Sequence, residues 1–118
     1  MKDGSVDLKE RTKALALRVI RMYARLPKTD VARVLGKQVL RSGTSVGANY
    51  READEGRSKA EFISKMGDSL RELSETEYWL ELLVESAIVK PSAMTQLLKE
   101  TRELKLIFAT IIRNARSA

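Results

Sequence analysis

The residues best suited to chemistry stand in the stretch RSGTSVGANY, where Gly43, Ser45 and Gly47 fit the pattern G-x-S-x-G. In α/β-hydrolases this pattern holds the nucleophilic serine on a strained turn between a strand and a helix. Such a serine needs a histidine base within hydrogen-bond distance, and the chain contains no histidine. The apolar residues before the motif are spaced for a helix. The sequence therefore argues against a hydrolase, and it predicts no catalytic residue.

The same stretch carries a second pattern, in which polar residues repeat at steps of three and four along one edge of a predicted helix. We call these residues the polar ladder: Gln38, Ser42, Ser45, Asn49 and Glu52. Gly36, Gly43 and Gly47 fall on a different side and allow another backbone to approach closely. Two interpretations of the ladder are open: hydrogen bonds that fix the register of the helix, or contact with a ligand or nucleic acid.

Composition narrows the classes of protein to which the chain can belong. Its 118 residues predict a single domain, residues 1–118, and the absence of cysteine and histidine excludes disulfides and a Cys/His zinc site. We predict neither a metal nor another cofactor. The longest apolar run is too short to cross a bilayer, and the N-terminus lacks the apolar core of a signal peptide. These features predict a cytoplasmic protein with no membrane partner.

Four apolar patterns predict four helices. The first runs from Asp7 to about Leu26, the second from Thr29 or Asp30 to Ala53, the third begins at Ser58, and the fourth begins at Pro91 or Ser92. The apolar stripe of the second helix includes Val31, and that of the third ends at Ala87. Short connections make successive helices antiparallel neighbours. The predicted fold is all-α, an up-down-up-down antiparallel four-helix bundle, with a long-hairpin coiled coil as the alternative.

Glu77 lies in the middle of the third apolar stripe, between Leu73 and Leu80. A buried carboxylate has to be paired or neutral. Antiparallel pairing of the second and third helices makes Gln38 a plausible neighbour, and we group Glu77 with the polar ladder as a structural residue. A ferritin-like di-metal site would need histidines that the chain lacks.

Basic residues are concentrated on the first helix. The net charge is +6 and the isoelectric point is near 9.8, which favours an anionic partner. Arg11, Arg18 and Arg25 recur every seven residues with Arg21 beside them, and we expect four further residues to extend this row. These are Arg33, Lys37, Arg113 and Arg116. The row is predicted to bind nucleic acid through phosphates; the alternative is an ordinary solvated basic face.

Two helices are apolar on a second side. The residues concerned are Leu17, Ile20 and Ala24 on the first helix, and Tyr78, Trp79 and Leu82 on the third. A helix with two apolar sides usually contacts more than its own bundle. We therefore predict a homo-oligomer, in which these residues form the interface, over a monomer.

The segments QVLRSGTSVGANYREA and EFISKMGDSLRELSETEYWLELL resemble the bacterial four-helix-bundle family of 23S rRNA intervening-sequence proteins. That family includes the accessory variability protein of diversity-generating retroelements, to which the chain is similar in size and charge. The resemblance rests on ten residues of the second and third helices: Gln38, Arg41, Ser42, Ser45, Asn49, Glu52, Phe62, Glu72, Glu75 and Trp79. It implies a homopentameric bundle without catalytic activity and, for the retroelement branch, binding to nucleic acid and to a reverse transcriptase. Gly43 departs from the family pattern, in which alanine is usual.

Residues and resemblance together lead to one hypothesis and one rival. The hypothesis is a non-enzymatic oligomeric scaffold that binds RNA or DNA, with a reverse transcriptase as a candidate partner. The rival is an assembly module that binds only protein, in which the arginines of the first helix meet the acidic third helix of a neighbouring copy. Residues 58–90 carry seven acidic and four basic side chains, whereas each of the other helical segments has an excess of basic ones.

Overall fold

The computed structural model describes residues 7–118, which form four α-helices and no strand. The helices are α1 (Leu8–Ala24), α2 (Asp30–Asp54), α3 (Lys59–Glu85) and α4 (Pro91–Ser117). Each helix packs against the next along the chain, and α4 returns to α1 to close the bundle. The predicted up-down-up-down bundle is confirmed. Residues 1–6, where a signal peptide was not expected, lie outside the described part.

Side-chain caps start the first three helices where the sequence predicts them. Asp7, Thr29 and Ser58 accept hydrogen bonds from the backbone N–H groups three residues ahead, at 3.3, 3.2 and 3.0 Å. Glu61 completes a variant of the capping box, because its carboxylate accepts from the N–H of Arg57 rather than from that of Ser58. The fourth helix has Pro91 in its first turn and no side-chain cap.

The core is built from apolar side chains of all four helices. Fully buried members include Leu15, Val46, Leu73 and Phe108, one from each helix. Two predicted stripe residues lie elsewhere. Val31 is 60% exposed, because the buried face of α2 is centred on small residues that pack against α1. Ala87 follows the end of α3 and has a φ of 63°, in the left-handed region.

The turn at Ala87 directs the chain from α3 into α4. The N–H groups of both Ile88 and Val89 donate to the carbonyl oxygen of Leu83 at 3.0 Å, and Ala87 N–H donates to the Val84 carbonyl at 2.9 Å. These bonds satisfy carbonyls that the end of a helix leaves free, as in a Schellman motif, although glycine is the usual residue at the left-handed position. No described helix is long and apolar enough to cross a membrane.

Candidate nucleic-acid interface

The glycines of the opening motif form a surface against which α1 packs. A Cβ atom added at Gly43 would lie 2.8 Å from Val19 Cγ2, and one added at Gly47 would lie 3.1 Å from Thr12 Oγ1. Ser45 lies inside α2, where its hydroxyl donates to the Arg41 carbonyl at 2.7 Å. The motif therefore has the geometry of a helix–helix contact rather than that of a strand, turn and nucleophile.

The residues of the polar ladder make separate local contacts and do not form one site. Ser42 is fully buried, and its hydroxyl hydrogen-bonds that of Thr76 on α3 at 2.9 Å. Glu52 pairs with Lys65 at 2.7 Å, and the amide oxygen of Gln38 accepts from the guanidinium of Arg41 at 3.4 Å. Asn49 is half-buried. The sequence analysis did not predict Thr76 as the partner of Ser42. The one indication in the sequence was a hydroxyl residue within the apolar stripe of α3.

Glu77 faces α4, so the expected neighbour Gln38 was wrong. Its carboxylate oxygens lie 2.6 Å from Arg102 Nε and 2.6 Å from Lys105 Nζ. The hydrogen bond from Lys105, followed by that from Arg102, holds the pKa of Glu77 below its ordinary value, and partial burial opposes this shift. Position 77 is on the side of α3 that faces α4. Glu77 therefore links α3 to α4 and does not contact the polar ladder of α2.

The arginine row of α1 divides into one paired and three open members. Arg11 is held by α4, through contacts of 2.7 Å with Glu100 and 3.0 Å with Glu103. Arg18, Arg21 and Arg25 are exposed, and within residues 7–118 none of them forms an ion pair or a side-chain hydrogen bond. We call these three residues the arginine cluster. They lie within an arc of about 60° over two turns of helix.

The four residues expected to extend the row do not form one surface with the cluster. Arg113 and Arg116 lie towards the C-terminal end of α4, and this end is next to the α2–α3 connection because Lys59 Nζ contacts the Ala118 carbonyl at 2.6 Å. Arg25 lies at the opposite end of the bundle. The antiparallel direction of α4 therefore separates Arg113 and Arg116 from the arginine cluster, and their part in binding nucleic acid stays a prediction.

Arg33 and Lys37 lie at the same end as the cluster but on the exposed face of α2. Arg33 lines a cleft of about 170 Å³ together with Ala24 and Lys28, and it contacts Asp30 at 3.4 Å. On α1, the apolar residues Leu17, Ile20 and Ala24 are centred about 100° from the arginine cluster. This apolar strip stands between the cluster and α2. Arg33 and Lys37 thus add positive charge to this end of the bundle without continuing the row.

A cavity of about 390 Å³ lies beside the arginine cluster, between α1 and the start of α4. We call it the α1–α4 cavity. Arg18, Arg21 and Arg25 all line it, and the apolar part of its wall includes Met22 and Ile88. None of the described residues that line this cavity is acidic. The sequence indicated the arginines but not the cavity, because its other wall comes from the α3–α4 connection.

The acidic residues of α3 are largely engaged by basic residues of the same chain. Arg41 lies 3.2 Å from Glu72 and 2.5 Å from Glu75. Arg102 lies 3.0 Å from Glu81. The arginine cluster has no such partner among the described residues, and all three of its members are exposed.

The apolar residues expected at an interface differ in exposure. On α1, Leu17 is 40% and Ile20 44% exposed. On α3, Tyr78 is 53% exposed, whereas Trp79 is half-buried against the core and packs edge to face with Tyr78 at 5.0 Å between ring centroids. Ala24 is exposed and Leu82 half-buried. The indole N–H of Trp79 is buried and has no hydrogen-bond acceptor among residues 7–118.

Comparisons with known proteins give a consistent result. A family model described as 23S rRNA-intervening sequence protein matches residues 5–109. A crystal structure from Bacteroides thetaiotaomicron, of a protein with unknown function from the S23 ribosomal protein family, is 38% identical in sequence with a TM-score of 0.83. The match covers 88% of this chain and 96% of that chain. No curated protein sequence matches the chain.

Proposed function

Because the chain belongs to the family of 23S rRNA-intervening sequence proteins, we propose that it is a non-enzymatic oligomeric scaffold that binds RNA or DNA. The observation that carries the proposal is the arginine cluster, three neighbouring guanidinium groups without a carboxylate partner within residues 7–118. Arginine binds phosphate oxygens in a bidentate manner, and release of counterions makes such contacts the main source of non-specific affinity for nucleic acids.

The rival is an assembly module that binds only protein, and the ion pairs of α3 argue against it. In that rival, the arginines of α1 would pair with the acidic α3 of a neighbouring copy. Glu72 and Glu75 are already held by Arg41, and Glu81 by Arg102. At these three glutamates, an arginine from another copy would have to displace an existing partner. Glu85, also on α3, is exposed and forms no ion pair within residues 7–118, so it remains available to the rival. A phosphate would meet the cluster without such competition.

The proposal is tested by the dependence of RNA affinity on salt. Replacing Arg18 and Arg25 by glutamine removes two cluster charges and retains side-chain length and helix propensity. The logarithm of affinity for single-stranded RNA falls with the logarithm of salt concentration by about 0.7 for each phosphate neutralised. We expect the double variant to have a shallower slope and weaker binding of all sequences alike, because phosphate contacts do not read bases.

The matched control replaces Arg113 and Arg116 by glutamine, which removes the same charge at the opposite end of the bundle. Fluorescence anisotropy at several salt concentrations gives the slopes, and light scattering verifies that assembly is unchanged. A shallower slope for the cluster variant alone supports the proposal. Equal slopes in the wild type and the cluster variant would remove the cluster from the binding surface. No binding by the wild type at low salt would favour the rival.

Assembly is the second part of the proposal, with a homopentamer as the state implied by the family resemblance. The exposed residues Leu17 and Ile20 support it, because adjacent exposed apolar side chains favour burial in an interface. We expect Ile20→Glu to dissociate the oligomer, measured by native mass spectrometry. Leu106→Glu is the control, since Leu106 is 71% exposed on α4. A monomeric wild type at micromolar concentration would exclude this part.

A reverse transcriptase is the protein partner that we propose, supported by the basic charge and small size that the chain shares with the retroelement branch of the family. The test is co-purification of the tagged protein with a reverse transcriptase encoded beside its gene. A gene that stands in an rRNA insertion, without a neighbouring reverse transcriptase, would contradict this partner and leave RNA binding intact.

A further inference from the structure

The α1–α4 cavity combines positive charge with an apolar wall, which sets it apart from an ordinary basic surface. Its volume of about 390 Å³ lies in the range of small-molecule binding sites. Arg18, Arg21 and Arg25 line it beside aliphatic residues that include Met22 and Ile88. A ligand that fits such a cavity carries an anionic group and an uncharged part that benefits from leaving water.

The charges around the cavity favour a doubly charged anion. Three guanidinium groups within one arc of helix repel each other, and no acidic residue of the described chain lines the cavity to compensate them. The first turn of α4, which forms part of the opposite wall through Ala93, also contains no acidic residue. A phosphate monoester carries a charge of about −1.5 to −2 at neutral pH, whereas a diester within a strand carries about −1. Repulsion within the cluster is therefore relieved most by a terminal phosphate.

We propose that the α1–α4 cavity binds a nucleoside monophosphate, either free or as the phosphorylated end of an RNA strand. The phosphate would lie against the arginine cluster, where guanidinium groups bind it in a bidentate manner. The base and ribose would enter the cavity, because the planes of guanidinium groups and aliphatic side chains cover the faces of unstacked bases. This inference rests on the proposed function and deepens it by naming the part of the RNA that the cluster selects.

The experiment compares a short RNA bearing a terminal phosphate, at its 5′ or its 3′ end, with the same RNA bearing hydroxyl groups at both ends. Free adenosine monophosphate is titrated separately by calorimetry and used as a competitor. We expect the wild type to prefer one of the phosphorylated RNAs by about tenfold to a hundredfold, the range of added charge-assisted hydrogen bonds. Adding the free nucleotide should abolish the preference for the phosphorylated RNA and leave the remaining RNA binding unchanged.

The decisive variant is Ala93→Phe, which fills the cavity from the exposed first turn of α4 and leaves every charge in place. We expect it to abolish the preference for the phosphorylated end while retaining general RNA binding. Replacing Arg51 and Arg57 by glutamine is the control, because this change removes two charges at the far end of the bundle and should preserve the preference. Circular dichroism and thermal unfolding verify that each variant is folded.

The outcomes separate this inference from the proposed function. RNA binding without an end preference, together with no binding of the free nucleotide, would overturn the inference and leave the proposed function standing. An end preference that persists in Ala93→Phe would also overturn it, because the cavity would then not be the site. Binding of free nucleotide without binding of any RNA would support the cavity and contradict the proposed function. Binding of free nucleotide with RNA binding but no end preference identifies a free nucleotide as the ligand.

Discussion

Replacing Gly43 by alanine should destabilise the protein, although alanine is the better residue for a helix. Gly43 lies in the interior of α2, and an added Cβ would be 2.8 Å from Val19 Cγ2, 3.2 Å from Cγ1 and 3.3 Å from Cβ of the same residue. Val19 is fully buried and β-branched, so it has essentially one rotamer in a helix and cannot turn aside. The methyl group would fit only if α1 moved away from α2.

The magnitude follows from two opposing terms. Helix propensity favours alanine over glycine by about 0.8–1.0 kcal/mol. Inserting a methyl group into a close-packed contact costs about 1–3 kcal/mol. The free energy of unfolding should therefore fall by up to about 2 kcal/mol in Gly43→Ala. The matched control is Gly67→Ala on α3, where an added Cβ meets, among residues 7–118, only Arg71 Nη1 at 3.9 Å. That variant should gain up to about 1 kcal/mol from helix propensity alone.

Thermal and denaturant unfolding followed by circular dichroism measure the two changes in parallel. For a chain of this length, a difference of 1 kcal/mol shifts Tm by about 3–6 °C, so the two variants should move in opposite directions. A double-mutant cycle with Val19→Ala adds a second test, because removing the valine methyl groups should relieve the cost of Gly43→Ala. Equal stabilisation by both alanines, or strict additivity in the cycle, would refute the close contact of α1 with α2.

Three further predictions concern single side chains. The pKa of Glu77 is lowered from 4.5 in the folded protein by Lys105 and Arg102, so its stabilisation is complete above about pH 4.5 and is lost as the pH falls through the folded pKa. Glu77→Gln should therefore flatten the acid side of the stability profile measured by denaturant titration; an unchanged profile would contradict the pairing. Ala87→Gly should raise the free energy of unfolding by about 1 kcal/mol, because it relieves a left-handed alanine, and a loss of stability would contradict this account. Ser45→Ala should change stability by less than about 1 kcal/mol, and an esterase activity that this change removes would overturn the structural role of Ser45.

Local signals allowed the sequence to predict the helices well. The caps at Asp7, Thr29 and Ser58 act on backbone groups three residues away, so their effect is visible in the chain itself. The prolines at the ends of two patterns act in the same local way. The first helix ends at Ala24, short of the predicted Leu26, because Pro27 disfavours helical geometry just before it.

The sequence was least informative where a contact depends on the packing of two helices. The buried face of α2 was assigned by its larger apolar residues and so included Val31, whereas Ala32 and Gly36 are the buried residues of that turn. Small residues contribute little to a hydrophobic pattern even when they define the closest contact. Likewise, the partners of Glu77 come from α4, and no periodicity within α3 indicates which neighbour a carboxylate will face.

The packing of α1 determines how the bundle unfolds in part. This helix rests on the glycine side of α2, but it meets α4 only sparsely, through the ion pairs of Arg11 and around the α1–α4 cavity. A helix held mainly from one side can detach before the rest of the protein unfolds. We expect the amide protons of α1 to exchange with solvent before those of the middle of α3, through a partial opening in which α2, α3 and α4 stay associated. A ligand in the α1–α4 cavity that contacts both helices would slow the exchange of these amide protons. Slower hydrogen exchange in α1 would therefore show that the cavity is occupied.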